Sequence, residues 1–132
     1  MSLTKQDVLS VVETYIQAWV TQDPDLIVTV FTDDATYHER VLGEPIRTNV
    51  GIRNYWTEKV VQSQGNITCK LLSLYLDGNT AIVEWEAEFD DLPKVARKRM
   101  REIAVLEFAT NKKIGSLREY WASEEISPLS EK

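Results

Sequence analysis

Glu39 closes the stretch Asp33-Asp34-Ala35-Thr36-Tyr37-His38-Glu39, in which a turn-forming pair of acids gives way to alternating apolar residues. A carboxylate delivered among apolar neighbours is pushed toward its neutral form, because burial penalises charge. It then becomes a base useful near neutral pH. A second carboxylate, Glu119, shares the alternation of Leu117 and Trp121 in the last apolar run. The opposite phase, with Ser116, Arg118 and Tyr120 inward, is equally open to that strand. His38 is the only histidine, and alternation turns it away from the face shared by Tyr37 and Glu39. The competing reading of Glu39 is an ion pair with Arg40 or Arg47 at the rim of a sheet. No nucleophile elbow of the hydrolase type is visible. Cys69 is the only cysteine, which excludes an intrachain disulfide and a thiolate metal cluster.

These groups need elements to hold them. Thr4 caps a first helix with Asp7 three residues on, and Val8, Val11, Val12, Tyr15, Ile16 and Trp19 recur at the three-and-four spacing of one helical face. An aromatic such as Tyr15 on that stripe is ordinarily core or pocket lining. Asp23-Pro24 opens a short second helix that buries Leu26, Ile27, Val30 and Phe31. Thr32-Asp33-Asp34 reads as a turn, Ala35 to Glu39 as a strand, and Arg40 to Arg47 as a loop marked by Gly43 and Pro45. Thr48 or Asn49 caps a third helix to about Ser63, with Ile52, Tyr55, Trp56 and Val60 inward, and Gly65-Asn66 ends it.

From Ile67 the pattern becomes that of strands: Ile67 to Leu76, Thr80 to Phe89, Arg99 to Phe108 and Ile114 to Ser123. In the second of these Trp85, Ala87 and Phe89 go inward while Glu84, Glu86 and Glu88 face out, opposite Arg99, Arg101 and Arg118 on neighbouring strands. Residues 124–132 read as a loosely held tail. Helices first and a long antiparallel run afterwards predict an α+β domain spanning residues 1–132. Three N-terminal helices cover the concave face of a curved sheet, a cone whose open end is a pocket. Trp19, Trp56, Trp85 and Trp121 all fall on inward faces.

At 132 residues, 43% hydrophobic, the chain has material for one core. Its net charge of −6 argues against nucleic acid as a partner. The cluster of Lys94, Arg97, Lys98, Arg99 and Arg101 is preceded by Asp90 and Asp91 and reads as a solvated loop. No apolar run approaches the ~18 residues of a membrane span, and the N-terminus lacks a basic-then-apolar leader, so a cytoplasmic protein with no membrane partner is expected.

The succession Phe31-Thr32-Asp33-Asp34-Ala35-Thr36, Gly43-Glu44-Pro45, Ile52-Arg53-Asn54-Tyr55-Trp56 and Lys113-Ile114-Gly115-Ser116-Leu117-Arg118-Glu119-Tyr120-Trp121 resembles the nuclear-transport-factor-2-like superfamily. Within it, the pattern is similar to the branch of SnoaL-like polyketide cyclases and steroid delta-isomerases. The resemblance implies a small-molecule enzyme moving a proton next to a carbonyl, with Glu39 in the place of the general base and Tyr15 in that of an oxyanion donor. The pocket so implied is lined by Trp19, Phe31, Tyr37, Trp56, Trp85, Glu102, Ala104, Leu117, Glu119 and Trp121. The family's second donor, a protonated acid, falls on Ala104, which has nothing to donate. Glu102, on the same face but about 7 Å along the strand, is a displaced substitute. The resemblance further implies a small apolar or carbonyl-containing ligand, no metal or organic cofactor, and a homodimer through the convex sheet face. The alternative is a non-catalytic module that binds a small ligand or only dimerises.

Overall fold

The computed structural model describes residues 2–129. Helix α1, Lys5–Val20, starts with the expected reciprocal cap: Asp7 N–H donates to Thr4 Oγ1 at 3.1 Å and Thr4 N–H to Asp7 Oδ2 at 2.9 Å. Its stripe of Val8, Val12, Tyr15, Ala18 and Trp19 is buried. Asp23 caps the short α2, Pro24–Ile27, by accepting from the Asp25 and Leu26 N–H groups, and a 3₁₀ turn, Val28–Val30, leads into strand β1, Phe31–His38.

Two boundaries differ from the expectation there. Thr32-Asp33-Asp34 is not a turn before the strand but lies within it. Against the last strand, Phe31 partners Ile114 and Thr36 partners Ser116, so five steps on β1 face two on its neighbour. The turn-forming acids occupy the resulting bulge, exposed. At the other end β1 stops at His38, which leaves Glu39 just beyond the strand.

Part of the expected loop forms a short β2, Ile46–Arg47, antiparallel to β1. The third helical stretch runs without a break as α3, Thr48–Tyr55, a π-helical turn, Trp56–Val60, and α4, Val61–Ser63. Thr48 Oγ1 accepts from Gly51 N–H at 3.1 Å. Gly65 and Asn66 do not end this helix. They sit inside β3, Gln64–Asp77, at a shift in register with β4, Thr80–Asp91. β5, Ala96–Phe108, and β6, Ile114–Pro128, complete a six-stranded sheet of order β2-β1-β6-β5-β4-β3, in which only β1 and β6 run parallel.

Helices thus cover one face of a mainly antiparallel sheet, the α+β architecture expected from the sequence. Alternation in β4 is as read: Val83, Trp85, Ala87 and Phe89 are buried, and the intervening glutamates are not. The tail is corrected. Residues 124–128 are paired strand, with Pro128 opposite Ala96, because β5 itself begins three residues earlier than its apolar pattern suggests. Residues 130–132 lie outside the described residues. The basic cluster is corrected too, since Ala96 onward is strand and its cations are paired: Arg97 with Asp90, Lys98 with Asp91, Arg99 with Glu124, and Arg101 with Glu84 and Glu86.

Candidate functional site

Between the helices and the concave sheet lies a cavity of about 440 Å³, the size that holds a small organic molecule. Its deep end is formed by Tyr15 from α1, Tyr37 from β1, Glu102 from β5 and Glu119 from β6, with Trp56 on the helical wall. Tyr15, Tyr37 and Glu102 are each 3% exposed, whereas Trp121, at the mouth, is 40% exposed.

Two phenols at this end converge on one carboxylate oxygen. Glu119 Oε1 accepts the Tyr37 hydroxyl at 2.7 Å and the Tyr15 hydroxyl at 3.4 Å, and the two phenol oxygens are 3.1 Å apart. Because the single Tyr37 proton goes to the carboxylate, Tyr15 is free to donate to Tyr37 or to Glu119. Tyr15 cannot wander, since its ring stacks on Trp85 at 5.1 Å and meets the edge of Trp56 at 5.7 Å. No protein donor among the described residues reaches Glu119 Oε2, and Glu119 borders the cavity.

Burial pushes the Glu119 carboxyl up to about 7, against the opposing pull of the Tyr37 hydrogen bond; the Glu39 charge adds to the rise and the Tyr15 hydroxyl opposes it. Burial also holds Glu102 well above the usual carboxylate range, and the neighbouring Glu119 charge adds to it. Trp85, the register partner of Glu102, favours the ionised form slightly. Even so, neither its indole N–H nor Glu102 Oε2 has a partner in hydrogen-bond geometry. Tyr15 and Tyr37 are raised far above ordinary tyrosines by burial first and by the Glu119 charge second. Near neutral pH the arrangement therefore holds one carboxyl that can both take and give a proton, a second carboxyl biased toward its neutral form, and two neutral phenols.

Register explains how two acids share this space. Ala104 on β5 lies opposite Glu119 on β6, and Glu102 lies opposite Trp121. The methyl of Ala104 leaves the volume that the Glu119 side chain occupies. The phase of the last strand is thereby decided: Leu117 is fully buried, Glu119 points inward, and Arg118 points outward to pair with Glu107 at 2.5 Å.

Of the residues picked out from the sequence, Tyr15, Trp19, Tyr37, Glu39, Trp56, Glu102, Glu119 and Trp121 border the cavity. Phe31, Trp85, Ala104 and Leu117 do not. They are buried to 1% or less in the core behind it, so inward alternation identified core as well as lining. Trp19 donates to Gln64 Oε1 at 2.8 Å. Glu39 realises the rim reading: it pairs with Arg40 at 3.6 Å and its side chain is 32% exposed, while Arg40 lies over the Trp121 ring at 5.6 Å. His38 is on the other face, paired in register with Arg118.

Tyr55, Lys59, Gln64, Asp91 and Lys98 also border the cavity and were not singled out as site residues. Lys98 shares the inward alternation of Met100, Glu102 and Ala104, a signal hidden when the basic run is read as loop. Among the described residues no three His, Cys, Asp or Glu side chains are grouped to hold a metal ion, and no helix is long and apolar enough to cross a membrane.

The profile of the SnoaL-like domain matches residues 12–116, and the chain belongs to that family. No match is found among curated proteins. Among solved structures, the epoxide hydrolase/cyclase-like enzyme SalBIII, described for its role in pyran ring formation in the polyether salinomycin, superposes with a TM-score of 0.79 at 23% identity, over 92% of this chain and 98% of its own. A hypothetical protein with a ketosteroid isomerase-like fold from Catenulispora acidiphila, in complex with trimethylamine, superposes with a TM-score of 0.74 at 17% identity, over 83% of each chain. At these identities the likeness is one of fold.

Proposed function

We propose that this SnoaL-like chain is a small-molecule enzyme of the isomerase or cyclase type, moving a proton at a carbon beside a carbonyl, with Glu119 as the proton carrier. The observation that carries this is the half-buried Glu119 carboxyl, bordering the cavity and held through one oxygen by Tyr37 and Tyr15. Oε2 takes the proton from the substrate carbon, and the bonding pair moves onto the carbonyl oxygen as an enolate. The neutral Glu102 donates a hydrogen bond to that oxygen, in the manner of an oxyanion hole. Glu119 then returns the proton to a carbon of the same conjugated system. Tyr37 and Tyr15 are positioning residues that fix the carboxyl and keep its basicity near neutral.

In this reading the base is Glu119 and not Glu39, because Glu39 is one-third exposed and engaged with Arg40. Glu39 acts through its charge, which lifts Glu119. A thermal-shift screen of steroid-like enones, polyketide fragments and small lactones would identify a ligand, since saturation at a hundred times Kd stabilises by roughly 2.7 kcal/mol. With that ligand, Glu119→Gln should cut turnover by at least about a hundredfold while binding is kept, and Glu39→Gln should cut it less. Full turnover in Glu119→Gln would refute the assignment, and tight binding without turnover in the natural protein would favour the non-catalytic alternative.

The same reading includes a homodimer through the convex face. Ile82, Ile103 and Tyr120 stand outward on β4, β5 and β6 at 41%, 41% and 47% exposure, beside the paired Glu84, Glu86 and Arg101.

A further inference from the structure

The mouth of the cavity is not charged like the rest of the chain. Against a net charge of −6 overall, the charged side chains at the mouth are three cations, Arg40, Lys59 and Lys98, and two acids, Glu39 and Asp91. Two of the cations are engaged: Arg40 with Glu39 at 3.6 Å and Lys98 with Asp91 at 3.2 Å. Among the described residues Lys59 has no carboxylate within ion-pair distance, although it borders the cavity.

Its place in the chain is also unusual. Lys59 lies in the π-helical turn, Trp56–Val60, a local widening that recurs at functional sites. Both ends of that turn, Trp56 and Val60, border the same cavity. Trp56 is 1% exposed and its indole N–H has no acceptor. A buried donor left unpaired costs about 1–3 kcal/mol, and here it belongs to the wall from which the uncommitted ammonium extends. Lys59 is exposed, a free cation at the mouth, and the Trp56 N–H is a buried unpaired donor lower on the same helical wall; a ligand that brings oxygen atoms and negative charge suits that wall. Further in, the walls are aromatic and the acids are hydrogen-bonded or neutral, which suits an uncharged body.

We propose that the cavity takes a ligand with an apolar, unsaturated body and one anionic group of the carboxylate or sulfonate type, seated by Lys59 at the mouth. This rests on the proton-transfer reading of the same cavity and names the class of substrate it would accept. Lys59 is here a specificity-determining residue, remote from the proton being moved.

Two fluorescent probes of similar shape test it: the anion 1-anilinonaphthalene-8-sulfonate and the neutral N-phenyl-1-naphthylamine. Titrated into the full chain, the two should compete for one site. Lys59→Gln should weaken the anion about three- to tenfold and leave the neutral probe within about twofold. Lys59→Arg should retain the anion, and Lys113→Gln, the same charge change outside the cavity, should have no effect. Equal affinity of both probes in Lys59→Gln and the natural protein would overturn the anion seat and leave the proton-transfer reading intact. Failure of both probes to bind would overturn both readings.

Discussion

Replacing Glu119 by glutamine should make the folded protein more stable at neutral and alkaline pH, although it removes the group around which the site is built. In the folded state the Glu119 carboxyl titrates at about 7 against an ordinary 4.5. At about 1.4 kcal/mol for each pH unit, the difference corresponds to about 3 kcal/mol. The sign follows from proton binding. Below pH 4.5 the carboxyl is protonated in both folded and unfolded chains and contributes nothing. Between 4.5 and 7 the unfolded chain loses its proton while the folded chain keeps it, so stability falls as pH rises. Above about 7 the folded carboxyl ionises as well, and the full penalty persists.

Glutamine is neutral throughout and offers Tyr37 the same oxygen acceptor. Glu119→Gln should therefore match the natural protein near pH 4.5 and exceed it by up to about 3 kcal/mol at pH 8. Water in the cavity relieves part of the desolvation, which makes that figure an upper one. The measurement is urea unfolding at intervals from pH 4.5 to 8.5, followed by tryptophan fluorescence, with stabilities compared only where the m-values agree. The general effect of net charge cancels to first order in the difference between the two proteins. A difference that stays flat with pH, or that grows as pH falls, would refute the buried-carboxyl argument.

Tyr37→Phe removes the 2.7 Å hydrogen bond to Glu119; since that bond lowers the carboxyl pKa, its loss should move the Glu119 titration above 7, read by carbon NMR of labelled glutamate, with stability reduced by about 1 kcal/mol. An unchanged or lowered titration would mean that the bond is not made to the ionised form. On the convex face, Ile103→Glu sets a charge between Glu84 and Tyr120 in register and should shift sedimentation from dimer to monomer without altering the far-ultraviolet circular dichroism. A natural protein that sediments as a monomer would remove this face as a dimer contact.

What the sequence made legible follows from how local the determinants are. Helix α1 could be read because its cap, its stripe and its end all lie within one stretch, and β4 because one phase would bury three glutamates. β6 has no such asymmetry. Glu119 with Leu117 and Trp121, or Arg118 with Ser116 and Tyr120, are comparable faces on paper, and the choice is made by pairing with β1 and β5. The Lys94 to Arg101 run failed for a similar reason. Its charges suggested water, but Asp91 and Glu124 on adjacent strands neutralise two of them in the sheet. Glu39 falls one residue beyond the end of β1, a boundary that alternation alone does not fix, and there it both borders the cavity and pairs with Arg40.

Ala104 shows the same dependence on register most clearly. Read along β5 alone, an alanine at that position is a gap where a hydrogen-bond donor is wanted. Read across the sheet, the position faces Glu119, and two full-length acids could not both occupy the space that Ala104 and Glu119 share. The small residue is a condition for the large one. An acidic residue placed at 104 would meet Glu119 directly, and like charges directly opposite on neighbouring strands destabilise each other. The carboxyl chemistry of this cavity is therefore distributed over β5 and β6 as Glu102 and Glu119, offset along the strands. The phenols of α1 and β1 close on Oε1 of Glu119, and no single strand read in isolation contains that arrangement.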